Sequence, residues 1–430
     1  MEVDDTTCKA VVLIGGPQKG TRFRPLSLER PKPLFPVAGI PIIQHLIEKL
    51  VEVEGMQEII LMGFYQRSEI VDFVQKLQRE FRVPIRYLQE FAPLGTAGGI
   101  YHFRDQILLG NPSAVFVVNG DICGDLPFPE MQRAYQAKKL QYPSLACLLL
   151  ATEATREQSV HFGCVVVDKQ TNEVLHYVEK PTTFVSSVIN CGVYLVSAGL
   201  FQLLSNAFQE RSQSLLSRGA WNGDSPECLW LEADIFPRLA SSASFFAFQT
   251  RNWWSQIKTP GAVIYSNRHY LSLYRSSHPE RLAKNREGGP TILEDVYIHP
   301  MATVDPTAKI GPNVSIGPNV HIGRGVRVKE SIVLEGANLQ DHCCVLHSVI
   351  GWNSTVGTWS RVEGTPIGPN PNRPFAKLEN KALFNSDGRL NPATTILGCN
   401  VQVPKETIIL NSIVLPDKEL SNSYKNQIIL

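Results

Sequence analysis

The chain has 430 residues, 43% of them hydrophobic and 19% charged, with Lys+Arg 41 against Asp+Glu 40. At roughly 100–200 residues per domain this length suggests two or three domains, each large enough to bury its own core. The net charge of +1 lacks the basic excess of a protein that lives on a nucleic-acid backbone, so nucleic acid is not an expected partner. Nine cysteines run from Cys8 to Cys399 without a CxxC pair or a Cys/His ligand spacing, which suits free thiols in a reducing compartment. The acidic start MEVDDTTCKA carries no basic-then-apolar leader, and no apolar run approaches the ~20 residues that span a bilayer. A cytoplasmic protein without a membrane segment is expected.

Along the chain, AVVLI (10–14), EIILMGF (58–64), PIRYLQE (84–90), AVFVVNGD (114–121) and PSLACLLLAT (143–152) read as buried strands. Their continuous apolar character predicts a largely parallel sheet covered on both faces. Between the first two, PIIQHLIEKLVEVEG (41–55) reads as a helix, with Pro41 in its first turn and Gly55 just past its end. Strands alternating with helices mean βαβ units, whose ligands sit at the carboxyl ends of the strands.

The stretch GGPQKGTRFRP (15–25) follows the first strand. Gly15, Gly16 and Gly20 let backbone N–H groups approach phosphate oxygens, and Arg22 and Arg24 add charge-assisted contacts. Lys32 follows between two prolines. In EFAPLGTAGGIYHF (90–103), Gly95 and Thr96 open a helix whose backbone donors are expected to face a ligand, with Glu90 just upstream. Asn119, Gly120 and Asp121 end a buried strand, where a carboxylate can hold a divalent cation beside phosphate. YVEKPTTF offers Glu179 and Lys180; VINCGVYL offers Asn190 and Gly192.

SNRHYLSLYRSSHPERLAKN (266–285) reads as a connecting helix ending in a polar linker. Beyond Gly288 an apolar residue recurs at Ile298, Val304, Ile310, Ile316, Ile322, Val328 and Leu334, a strict period of six. That period fits a β-helix of hexapeptide repeats, a scaffold that mostly stacks and oligomerises. The Pro- and Asn-rich stretch 363–395 interrupts it and reads as a long loop thrown off the β-helix.

GTRFRPLSLERPKP, PLGTAGG, the strand-end NGD, VEKP and INCGVY, with hexapeptide repeats behind them, resemble the sugar-nucleotide pyrophosphorylases, and among these the mannose-1-phosphate guanylyltransferase family. The resemblance covers nearly the whole chain. It implies an α/β fold: a Rossmann-like nucleotidyltransferase domain over 1–265, a connecting helix and linker over 266–290, and a left-handed parallel β-helix over 291–430 with an inserted loop at 364–394. Members join a sugar 1-phosphate to a nucleoside triphosphate and release pyrophosphate, with Mg²⁺ and cationic side chains stabilising the developing charge. By resemblance, Gly15 and Gly16 face guanine and ribose, Arg22 and Lys32 the phosphates, and Gly95 and Thr96 the base. Asp121 takes Mg²⁺, and Glu179, Lys180 and Asn190 face the sugar phosphate.

Two departures matter. The bridge PQK between the paired glycines and GTR is longer than in catalytic members, and reaction rate is sensitive to small displacements of a phosphate loop. In RNWWSQIKTPG (251–261), Gln256 stands where catalytic relatives carry the second Mg²⁺ aspartate, and Lys258 adds a positive charge beside it. Together with the long C-terminal loop, these resemble the alpha, regulatory branch of the family. The resemblance then implies GDP-mannose as ligand, a catalytic beta subunit as partner, and homo- and hetero-oligomers through the β-helix. No cofactor is required for regulation, with Mg²⁺ only at a degraded Asp121 site. The competing readings are an active guanylyltransferase making GDP-mannose and diphosphate, a β-helix acyltransferase using His342 or His347, and a pure scaffold with an empty pocket.

Overall fold

The computed structural model describes residues 7–18, 20–218, 228–366, 390 and 393–430, and in it the first apolar run becomes β1 (Cys8–Gly15). Ala10, Val11 and Val12 are fully buried, as a strand covered on both faces requires. The next runs form β2 (Met56–Gly63), β3 (Ile85–Gln89) and β4 (Ala114–Asn119), all parallel, in the order β4-β1-β2-β3. Helices α1 (Ile42–Val51), α2 (Arg67–Glu80) and α3 (Gly95–His102) alternate with them. Ile43, Leu46, Ile47 and Leu50 bury the predicted apolar face of α1.

The second half of the sheet departs from the parallel expectation. It contains β5 (Cys147–Glu153), β6 (Gly163–Val167), β7 (Val174–Glu179), β8 (Val188–Val196) and β9 (Phe245–Gln249). β8 runs antiparallel to β4 and β5, and β6 and β7 form an antiparallel pair. The nine-stranded sheet has the order β7-β6-β8-β4-β1-β2-β3, with β5 pairing β8 and β9. It is therefore mixed. A tight turn reverses the chain between β6 and β7: Asp168 Oδ1 accepts from the Thr171 N–H at 2.7 Å, and Asn172 takes a left-handed φ of 60°.

From Thr291 the short strands form three parallel sheets, two of seven strands and one of five. Thr291 pairs with Lys309 and Lys309 with Arg327, steps of eighteen residues that equal three hexads. Arg327 then pairs with Cys344 and Cys344 with Arg361, steps of seventeen. Ile316 accordingly pairs with Val333, so the strict period of six ends after Val328 and does not extend to Leu334. Ile310, Ile316, Ile322, Val328, Val345 and Val362 fill the interior.

The corners need left-handed backbone, which Asn and Gly adopt at least strain. Such residues stack one coil apart: Asn319, Gly336 and Asn353 in one column, Asn313, Glu330 and His347 in another, and Gly325, His342 and Trp359 in a third. Nearly all of the predicted loop 364–394 lies outside the described residues. Its flanks are legible: Arg361 pairs with Ile408, a step of 47 where the previous coil takes 17. At the exit the Gly364 N–H donates to the Leu346 carbonyl at 2.9 Å, and the Thr365 N–H donates to the Ala393 carbonyl at 3.2 Å.

The described residues divide into two compact units, one holding those within 7–16 and 43–254, the other those within 17–42 and from 255 on. Within the second, Phe23 meets Phe35 edge-on at 5.3 Å and Phe35 meets Trp352 at 5.9 Å. Arg30 pairs with Glu335 at 3.1 Å in the same unit. The helix expected over 266–285 is α4 (Pro260–Ser277), opened by a proline in its first turn. Asn267 on α4 accepts the Ala38 N–H at 2.8 Å. Among the described residues no helix is long and apolar enough to cross a membrane, and the nine cysteines are free thiols.

Candidate ligand-binding site

In the first unit, the carboxyl ends of β1 and β4 lie side by side where the chain order reverses, the usual ligand position of an open α/β sheet. Gly15 ends β1 with φ of 69°, and a Cβ there would meet nothing within 4 Å. Its carbonyl accepts the Phe64 N–H at 2.7 Å. A Cβ on Gly16 would sit 2.7 Å from Phe64 Cβ, so the backbone passes too close for any side chain. Asn119 ends β4, and half-buried Asp121 follows Gly120, whose N–H donates to the Leu13 carbonyl at 2.9 Å.

The start of α3 differs from the expectation of donors facing a ligand. The N–H groups of Ala97 and Gly98 both donate to the Leu229 carbonyl, at 3.0 and 3.2 Å. Thr96 Oγ1 donates to Glu232 Oε2 at 2.7 Å and accepts the Leu231 N–H at 2.9 Å. Gly95 takes φ of 78°, and a Cβ there would run into the Leu229 carbonyl. Glu90, at the end of β3, donates its N–H to the Gly63 carbonyl at 2.8 Å.

On the other side, β8 bulges between Asn190 and Tyr194, with Gly192 at φ of 76° inside the bulge. Buried Asn190 accepts the Gly192 N–H at 2.8 Å. Its amide nitrogen donates to Tyr194 Oη at 2.8 Å and to Tyr177 Oη at 3.1 Å. Each tyrosine then donates outward: Tyr177 to Glu179 Oε2 at 2.9 Å, and Tyr194 to Glu232 Oε1 at 3.2 Å. Glu179 Oε1 pairs with exposed Lys180 at 3.0 Å. Burial, reinforced by nearby carboxylates, holds both tyrosine hydroxyls well above their usual range. Burial also raises the Glu232 carboxyl, against the opposing hydrogen bond from Thr96.

The remaining sequence candidates belong to the second unit. Gly20 has φ of 87° and caps a turn, Thr21–Phe23, that leaves Arg22 exposed while Phe23 is fully buried. Lys32 opens the turn Lys32–Leu34, with its Nζ 5.8 Å from the centre of the Phe23 ring. Gln256 ends a short strand, and its carbonyl accepts the Lys258 N–H at 3.0 Å. His342 and His347 are both corner residues of the β-helix. His342 stacks on Trp359 at 4.4 Å, and buried His347 is held down to about 4 by loss of solvent.

The structure thus gathers Thr96, Glu179 and Asn190 around residues that sequence reasoning missed: Tyr177, Tyr194, Leu229 and Glu232. Nothing in LWLEADIFP marks Glu232, because its partners lie 38 and 136 positions away. Two family models match the chain: one described as Nucleotidyl transferase over residues 9–219, and one described as the GMPPB C-terminal domain over 292–429. The chain is 58% identical over 425 residues to the mannose-1-phosphate guanylyltransferase regulatory subunit alpha-B of Danio rerio, covering 98% of this chain and 100% of that one. It is likewise 58% identical over 426 residues to the regulatory subunit alpha of Homo sapiens and to that of Papio anubis, with the same coverage.

Proposed function

Because the chain belongs to the mannose-1-phosphate guanylyltransferase family, in the branch of regulatory alpha subunits, we propose that it binds GDP-mannose and restrains a catalytic subunit in response. The observation that carries this reading is the ligand edge of the sheet. Gly15, Gly16, Asn119, Asp121 and Gly192 stand at or just beyond strand ends or in a strand bulge, and Glu179 and Lys180 pair with each other at the end of β7. In this reading Gly15, Gly16, Glu90 and Gly95 border the nucleoside, and Glu179 and Lys180 the sugar phosphate. Gly20, Arg22 and Lys32 keep the phosphate role that the family resemblance gives them. Thr96 and Asn190 act by holding these segments in place, since their side chains are engaged internally.

Catalysis is a different demand. Mg²⁺ prefers anionic oxygen ligands, and the two metal positions of the family are here one carboxylate, Asp121, and one neutral amide, Gln256. That pair fits the ion poorly. The chain's role is then to hold the nucleotide sugar, and a ligand shifts a partner's activity only through differential affinity for two states of the complex. The β-helix, with exposed Met301, Trp359 and Ile408, serves assembly.

Titrating the full chain with GDP-mannose by calorimetry, then supplying GTP, mannose 1-phosphate and Mg²⁺, tests this directly. Binding without pyrophosphate release is the expected result. Turnover at the rate of an ordinary pyrophosphorylase, or no binding at all, would overturn it. Deleting 364–394 should relieve inhibition of the catalytic partner by GDP-mannose while leaving ligand binding intact.

A further inference from the structure

Thr96, Glu232, Tyr194, Asn190, Tyr177 and Glu179 form one unbroken chain of hydrogen bonds. Its direction is fixed. Asn190 gives one amide hydrogen to each tyrosine, each tyrosine gives its own to a carboxylate, and Glu232 receives both Tyr194 and Thr96. The two ends of this chain are the start of α3 and the Glu179–Lys180 pair, which the proposed function sets against opposite halves of the ligand. A fully satisfied network of this kind rigidifies what it connects.

We infer that Glu232 is a positioning residue for ligand discrimination: through Tyr194 and Asn190 it fixes the sugar-facing segment relative to the nucleoside-facing start of α3, without touching the ligand. Removing Glu232 frees the Tyr194 hydroxyl hydrogen to turn toward Asn190, where it competes with the amide hydrogen that Tyr194 Oη accepts, and Y194F removes that acceptor outright. Asn190 then loses the bond that sets its tilt, and the change passes through Tyr177 to Glu179. The nucleoside end keeps its own anchors in the Leu229 carbonyl. The consequence is specific: the mannose half stops adding affinity while the GDP half binds as before. This inference rests on the proposed GDP-mannose site.

The test measures, by calorimetry on the full chain, the ratio of GDP-mannose to GDP affinity in the wild type, Y194F and Glu232→Ala. Expected is a fall in that ratio of at least about fivefold in both variants, the scale of a typical coupling between sites, with GDP affinity unchanged in Y194F, which leaves the Thr96–Glu232 bond in place. An unchanged ratio, or an equal loss for both ligands, overturns the inference and leaves the proposed function standing. A wild type that ignores both ligands overturns the proposed function and this inference with it. If Glu232→Ala does not fold, Y194F decides alone, since it keeps the ring and removes one hydroxyl.

Discussion

In the β-helix, the buried hydroxyls of Ser331, Ser348 and Ser412 each donate to the carbonyl two residues back, those of Lys329, Leu346 and Leu410. In the first unit, Asn190, the two tyrosines and the two glutamates bond to one another's side chains. The first solution is local and repeats with the coil, so any coil can adopt it. The second joins distant stretches of chain and works only when every member is present. The periodic unit is built to be extended, and the aperiodic one to be unique.

The largest effect that bears on this contrast is a cavity in the coil. Ile316→Ala, at a fully buried position, should cost about 2–5 kcal/mol of stability in denaturant unfolding and leave GDP-mannose affinity unchanged below the transition. A loss of affinity in the folded state would show that packing inside the coil reaches the ligand-binding residues. Next comes Gly95→Ala. Its left-handed φ and the adjacent Leu229 carbonyl predict about 1–3 kcal/mol of strain, read as a lower Tm together with weaker ligand binding.

Two pH effects of opposite sign are smaller and sharpen the comparison. His347 is held down to about 4 from an ordinary 6.5, so the unfolded chain takes up its proton first. Its contribution is therefore complete above about 6.5 and is lost as pH falls toward 4. His347→Asn, which puts at this corner the residue found at Asn313, should flatten that acid slope in Tm. Glu232 is raised above its ordinary 4.5, so the folded chain keeps its proton longer and stability declines as pH rises through the raised value. In E232Q, which keeps the shape, Tm relative to wild type should improve as pH rises from 4.5. Smallest is Arg324→Ala, which breaks an exposed 3.1 Å pair with Asp341 and should change unfolding free energy by less than about 1 kcal/mol.

The same contrast governs what the sequence reveals. The coils are legible because Ile310, Ile316, Ile322 and Val328 repeat a rule that needs no knowledge of the rest of the chain. The step from eighteen to seventeen residues is not, since Val333 and Leu334 are equally apolar and either could face inward. β1, β2 and β4 appear where their apolar runs lie, but a run such as VINCGVYLV does not encode strand direction. Asn190 and Thr96 announce themselves through their motifs, whereas Glu232 acquires its role only when folding brings α3 and β8 to it. Segment 17–42 follows the first strand directly, yet its Phe35 and Arg30 find their aromatic and charged partners some three hundred residues later.

The step of 47 residues between Arg361 and Ile408 has a consequence for how this family can diversify. The excursion leaves and rejoins at neighbouring rungs, with Thr365 and Ala393 tied to each other, so its two moorings are fixed whatever lies between them. For a stretch anchored in this way, each doubling of length adds only about 0.6 kcal/mol of closure entropy. The coil is in effect a socket: new surface can be grafted, trimmed or exchanged there while every rung above and below keeps its registration.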